Sequence, residues 1–172
     1  KLASLTGLFS VLLCASAQSK TWDFQNDPTR IDSNFELNFS ALPVQGALDH
    51  EPWSSTYWPS QLGGINYRWH SRAPKGFNLD SPSLAKLRTM TKAQIAELAP
   101  SEKYDIAMGR YDYPLVREVS GQTSPRAKDW SGICNGWSPA AYMFGEPNTV
   151  EFTNPDGIVV PFGSSDVKGL LS

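Results

Sequence analysis

Residues 129–143 read DWSGICNGWSPAAYM and form the segment from which the rest of the chain is best interpreted. Small residues surround Cys134 and permit close backbone approach, and the alanines that follow favour a helix. A cysteine at a helix N-terminus gains from the positive end of the dipole and from free N–H groups, which favour the thiolate. The same N–H groups can stabilise an oxyanion formed by attack on an acyl carbon. The segment therefore predicts a nucleophilic cysteine.

The start of this helix has two possible positions because Pro139 lies inside the segment. If the helix begins at Cys134, the proline removes a backbone hydrogen bond beyond the first turn. If Ser138 is the N-cap, Pro139 becomes the first helical residue and Cys134 lies on the preceding turn. Both arrangements place the thiol close to a helix start.

The composition limits the classes of function that this chain can have. Its 172 residues suggest one domain, and 40% hydrophobic residues are enough for a core. Fifteen basic against 17 acidic residues do not provide the positive surface that nucleic-acid binding needs. Two cysteines support neither a disulfide scaffold nor a four-thiolate zinc site. The acids Asp105, Asp112 and Glu118 are scattered, so we expect them at the surface rather than around a metal.

The N-terminus has the features of a secretory signal peptide over residues 1–17. Lys1 precedes a short apolar run that ends in Ala-Ser-Ala at Ala17, and the run is too short for a stable membrane span. Cleavage there would remove Cys14 and leave Cys134 as the only cysteine of an extracellular protein. An unpaired thiol in an oxidising compartment is buried and inert, linked to another chain, or kept for its chemistry.

The mature chain is predicted to consist of an arm and an α+β domain. Residues 18–50 form an N-terminal arm or pro-region, with a half-buried strand over residues 35–39 and a glycosylation sequon at Asn38. Residues 51–70 are dense in aromatic side chains, which either pack in a core or line a substrate cleft.

Helix signals and one hairpin signal follow the aromatic segment. Helix starts are expected at Ser81, at Thr91 through a capping box, and at Ser101 after Pro100, with Gly109 as a stop. An Asn-Pro-Asp-Gly turn at residues 154–157 separates two short apolar runs and predicts a β-hairpin.

The segment around Cys134 also resembles a known family. Its run GICNGWSPAA, residues 132–141, is similar to the nucleophile segment of the transglutaminase elicitors of oomycetes and some bacteria. The same resemblance extends, in order, to PWSSTYWP at residues 52–59, GINYRW at 64–69, LAPSEKYD at 98–105 and DVKGLL at 166–171.

The resemblance implies an α+β fold related to papain-like and transglutaminase-type cysteine enzymes, with helices around the nucleophile and residues 51–172 as the catalytic domain. It implies protein-glutamine gamma-glutamyltransferase activity, with Cys134 as the catalytic nucleophile. Protein glutamines and lysine or other amines would be the substrates. No cofactor or metal is expected, because nothing in the sequence forms a calcium loop.

One departure from the family pattern concerns histidine. A thiol of this kind needs a His to activate it and an Asp or Asn to orient that His, and in the family both follow the cysteine. Both histidines, His50 and His70, precede Cys134. We therefore expect structural or surface roles for these two, and we expect the 172 residues to be the front portion of the catalytic domain. A papain-like cysteine peptidase and a non-catalytic secreted elicitor or binding domain are the alternatives.

Overall fold

The computed structural model describes residues 27–30, 32–71, 76–77 and 79–172. The predicted signal peptide and the beginning of the predicted arm lie outside the described residues. The chain divides into two compact units between Gly46 and Ala47.

The described part of the first unit contains the 3-10 helices Pro28–Arg30 and Phe39–Ala41. The strand predicted over residues 35–39 is wrong. All five residues are exposed, so no buried face favours a sheet. Instead, the Asn38 side chain accepts a hydrogen bond from the Ser40 N–H group and caps a helical turn.

The second unit is mixed α and β, so the predicted α+β class is confirmed. Two 3-10 helices, Ser60–Leu62 and Gly64–Asn66, precede the regular elements. The regular elements are α1 (Leu84–Leu87), α2 (Lys92–Ala96), α3 (Pro100–Ala107), α4 (Pro114–Gln122), α5 (Cys134–Met143), β1 (Val150–Thr153), β2 (Val159–Phe162) and α6 (Ser164–Leu171).

The helix starts follow local signals, with two differences from the prediction. Thr91 and Gln94 form the predicted capping box of α2. The cap of α1 is Ser83 rather than Ser81, because its side chain accepts the Lys86 N–H. The third helix, α3, begins at Pro100 rather than at Ser101, since a proline at the first helical position needs no hydrogen-bond acceptor. Ser101 is consequently inside the helix.

The predicted hairpin is confirmed. The antiparallel strands β1 and β2 pair Val150 with Phe162 and Thr153 with Val159. Asn154 stabilises the turn because its side chain accepts the N–H groups of Asp156 and Ile158. The inward side chains of β2 join a core with the helices. Its buried members are Leu87, Ile95, Leu98, Ile106, Ala107, Tyr113, Val116, Ile158, Val160 and Phe162.

Two carboxylates of α3 are buried and hold neighbouring segments. Glu102 accepts two hydrogen bonds from Arg68, at 2.7 and 2.8 Å. Asp105 accepts the N–H groups of Leu115 and Val116 in the first turn of α4. The expected surface position of Asp105 is therefore wrong, because the side chain is buried. Its hydrogen bonds to the first turn of α4, a helix that the sequence analysis did not predict, offset the cost of burying the carboxylate.

Candidate active site

Cys134 is the first residue of α5, and its side chain is exposed. The first of the two predicted arrangements is therefore correct, and Pro139 lies within the helix. The proline has no N–H group to offer the carbonyl one turn earlier. Cys134 thus combines solvent access with a position at the N-terminus of α5.

The N-terminus of α5 keeps backbone donors available beside the thiol. Its N-cap residue, Ile133, provides no side-chain cap, and the carbonyl of Ile133 accepts the N–H groups of Gly136 and Trp137. The N–H groups of Cys134 and Asn135 have no acceptor among the described residues. Two donors at the end of a helix can stabilise a developing oxyanion.

The aromatic segment before the helices fixes the approach to Cys134. The Ile133 N–H donates to the Tyr57 carbonyl at 2.9 Å, and the Tyr57 hydroxyl donates to the Asp129 carbonyl at 2.7 Å. One turn away, the Ser60 N–H donates to the Ser131 carbonyl at 2.9 Å. These hydrogen bonds attach the loop that precedes α5 to the aromatic segment, and this loop leads directly to Cys134.

Gly132 is required by this close backbone approach. A Cβ atom at this position would lie 2.1 Å from the Tyr57 carbonyl oxygen, which is far inside van der Waals contact. The small residue that precedes the cysteine thus permits the pairing that positions it.

A groove of about 530 Å³ opens beside the thiol. One side of it is a single face of α5, since Cys134, Trp137, Ser138 and Ala141 are spaced by three, four and seven residues. Among the described residues, no carboxylate or cation lines the groove. The described lining residues are Pro52, Trp53, Ser54, Cys134, Trp137, Ser138, Ala141 and Tyr142.

Trp53 forms the opposite wall and is held in place from three directions. Its indole N–H donates to the Phe144 carbonyl at the end of α5, at 3.0 Å. Its own carbonyl accepts the Trp137 indole N–H at 3.3 Å. The Lys168 ammonium lies 5.4 Å from the ring centroid, within cation–π range. These three contacts fix the position of the Trp53 side chain in the structure.

The aromatic residues of segment 51–70 were expected either to pack in the core or to line a cleft, and different residues of the segment do each. Trp58 is almost completely buried and packs edge-on against Trp69 at 5.4 Å. Trp53 is also buried, yet it lines the groove with Cys134. The segment forms part of the interior and one wall of the cleft.

Neither histidine lines the Cys134 groove. His50 Nε2 lies 3.2 Å from the Ala141 carbonyl, and because a carbonyl only accepts, this nitrogen is the donor. His70 is exposed and lines a separate cavity of about 540 Å³ with Lys103 and Asp166. His50 therefore contacts the backbone of α5 next to the groove, and neither histidine is part of the groove lining.

Sequence reasoning singled out none of the other groove residues of α5 for the site; these are Trp137, Ser138, Ala141 and Tyr142. Their spacing from Cys134 could have revealed the first two, because positions three and four residues apart share a helix face. Tyr142 extends the same face by another turn. The contribution of Ser54 had no local signal, since it comes from the distant aromatic segment.

Within the described ranges, no group of three or more His, Cys, Asp or Glu side chains could hold a metal ion. In the same part of the chain, no helix combines the length and apolar character needed to cross a membrane.

Comparison with known proteins supports the family resemblance. Residues 23–84 match the family model described as transglutaminase elicitor. The predicted family resemblance is confirmed. The match with the transglutaminase elicitors includes the Trp53 wall and ends before Cys134.

The chain is also similar to the crystal structure of the GP42 transglutaminase from Phytophthora sojae. The sequence identity is 22% and the TM-score is 0.48, over 79% of this chain and 41% of that one. The chain therefore spans less than half the length of that structure. No curated protein sequence matches the chain.

Proposed function

We propose that this chain is part of a secreted protein-glutamine gamma-glutamyltransferase in which Cys134 is the nucleophile. The observation that carries the proposal is the position of Cys134: an exposed thiol that borders a groove, on the first residue of α5, where two backbone N–H groups have no acceptor among the described residues. The match of residues 23–84 to the transglutaminase elicitors supports the choice of reaction.

In the proposed reaction the Cys134 thiolate attacks the carboxamide carbon of a protein glutamine. The C–N bond breaks, ammonia leaves with a transferred proton, and a thioester forms. A neutral lysine or other amine then attacks the thioester, the C–S bond breaks and the thiolate leaves, and the amine nitrogen gives one proton to the general base as the amide forms. The N–H groups of Cys134 and Asn135 would stabilise the oxyanion in both steps.

The groove would bind the glutamine side chain and the apolar residues beside it. A glutamine is neutral, and the described lining of the groove contains no carboxylate or cation that would prefer a charged side chain. The match of residues 23–84 to the transglutaminase elicitors favours a transferase over the peptidase alternative.

A general base is the missing part of this site. Neither His50 nor His70 lines the groove, so we propose that the base is a histidine outside these 172 residues, oriented by its own Asp or Asn. Extracellular location belongs to the same proposal and rests on the signal peptide expected over residues 1–17.

The test is incorporation of a biotin-labelled primary amine into a glutamine-bearing protein such as casein, by the protein produced from the complete coding sequence. Cys134→Ala should abolish incorporation, whereas Cys14→Ser, a matched change at the other cysteine of the chain, should leave it unchanged. Equal incorporation by wild type and Cys134→Ala would contradict the proposal. Cys134-dependent hydrolysis of casein without amine transfer would identify a peptidase instead.

A further inference from the structure

The sequon at residues 38–40 lies in a segment where its side chains are accessible. Asn38, Phe39 and Ser40 are all exposed. Asn38 has extended backbone angles, φ −88° and ψ 107°, immediately before the turn of the 3-10 helix Phe39–Ala41. A modifying enzyme can therefore reach the acceptor amide without unfolding a packed element.

The reacting atoms of the sequon are free of competing bonds. The Asn38 side-chain oxygen accepts the Ser40 N–H at 3.1 Å. Within the described residues, Asn38 Nδ2 and the Ser40 hydroxyl have no hydrogen-bond partner. The bond to the amide oxygen orients the side chain and leaves the nitrogen available.

The surroundings of Asn38 give a physical reason for a carbohydrate at this position. Leu37 is 63% exposed and Phe39 87% exposed, and Val44 a few residues later is fully exposed. Contiguous exposed apolar side chains promote association between chains. A bulky hydrophilic group on Asn38 would separate Leu37 and Phe39 from other molecules, since attached glycans are solubilising.

We propose that Asn38 is an N-glycosylation site. The transferred group comes from a lipid-diphosphate-linked oligosaccharide in the secretory lumen. Asn38 Nδ2 forms a bond to the anomeric carbon of the first sugar and loses one proton. The bond between that carbon and the phosphate oxygen breaks, and the lipid diphosphate leaves with the electron pair. This inference rests on the proposed secretion of the protein and is independent of Cys134.

The experiment uses translation of the full chain in the presence of endoplasmic-reticulum microsomes, with protease protection as the measure of import. One form keeps residues 1–17, and a second replaces them with an established cleavable leader. In the imported chain we expect one mobility shift that peptide N-glycosidase removes. Asn38→Gln and Ser40→Ala should each abolish it, while Ser40→Thr and the control Asn34→Gln, also at an exposed asparagine, should retain it.

The two leaders separate failure of this inference from failure of the proposed secretion. If the chain with the established leader is imported but unshifted, or if the shift persists in Asn38→Gln, the site is wrong. If only the form with the native residues 1–17 fails to enter the microsomes, the glycosylation site stands and the proposed secretion is contradicted.

Discussion

Lys103 and Asp166 form a buried ion pair between α3 and α6, with Nζ and Oδ2 2.7 Å apart and side-chain exposures of 1% and 2%. The same carboxylate oxygen accepts the Gly163 N–H at the start of α6. One carboxylate thus caps a helix and neutralises an ammonium from a segment 63 residues earlier. Glu102 and Asp105, which lie in the same helix as Lys103, also bind distant residues: Glu102 binds Arg68, and Asp105 binds N–H groups at the start of α4. Helix α3 thus carries three buried charged side chains that connect it to other parts of the second unit.

Breaking this ion pair should destabilise the protein strongly. Lys103→Met leaves the Asp166 carboxylate buried without its cation, and such losses cost about 3–5 kcal/mol. We expect the free energy of unfolding, measured by urea denaturation, to fall by that amount. The matched control is Lys92→Met, because Lys92 pairs with Glu151 at the surface, where exposures are 57% and 55%. That change should cost about 1 kcal/mol or less. Equal losses for the two variants would contradict the structural role of the buried pair.

Asp105 should make stability depend on pH in an unusual direction. Burial raises the pKa of Asp105 above 3.8, although the N–H groups of Val116 and Leu115 partly oppose the shift. Because the pKa of Asp105 is higher in the folded protein than in the unfolded chain, Asp105 contributes its full stabilisation below pH 3.8. That stabilisation is lost as the pH rises through the folded-state pKa. The stability of wild type relative to Asp105→Asn should therefore decrease as pH rises from about 4, in urea titrations at a series of pH values.

For Asp112 we expect the opposite dependence of stability on pH. Its side chain bonds to Arg110, which lowers the pKa of Asp112 below 3.8. Its contribution is present above 3.8 and disappears as pH falls. Wild type relative to Asp112→Asn should therefore gain stability as pH rises toward about 4, whereas wild type relative to Asp105→Asn should lose stability above about pH 4. No loss of the Asp105 contribution above about pH 4 would show that this carboxylate is not desolvated.

Gly132→Ala should disturb the loop that positions the nucleophile. The added Cβ would overlap the Tyr57 carbonyl oxygen, so the paired backbones must separate at a cost of about 1–3 kcal/mol. Gly121→Ala is the control: it lies in α4 with no atom within 4 Å of the new Cβ. There the better helix propensity of alanine should add up to about 1 kcal/mol. Thermal unfolding of both variants would reveal the opposite signs, and a stable Gly132→Ala protein would contradict the close approach.

The Cys134 thiol should react in the folded protein. Because the side chain is exposed, we expect iodoacetamide to modify Cys134 under native conditions in a Cys14→Ser background. Peptide mapping by mass spectrometry would locate the label. The rate in urea serves as the reference for an accessible thiol. Modification that requires urea would mean that the cysteine is packed, as the non-catalytic alternative predicts.

The sequence by itself predicted the features that depend on neighbours within a few residues. The capping box of Thr91 and Gln94, the hairpin turn at residues 154–157 and the helix start near Cys134 all arise from local hydrogen bonds and backbone preferences. Alternation alone was misleading for residues 35–39, because a strand also needs a partner and a buried face, and neither is supplied there.

The tertiary structure alone decided which charged residues are buried and which aromatic residues line the candidate site. Asp105 and Glu118 are both acidic residues near helices, yet the first is buried and the second exposed. Trp53 became a wall of the Cys134 groove through hydrogen bonds to residues 84 and 91 positions away. Local propensity cannot encode such pairings, because their free energy depends on burial and on acceptors that only the folded chain brings together.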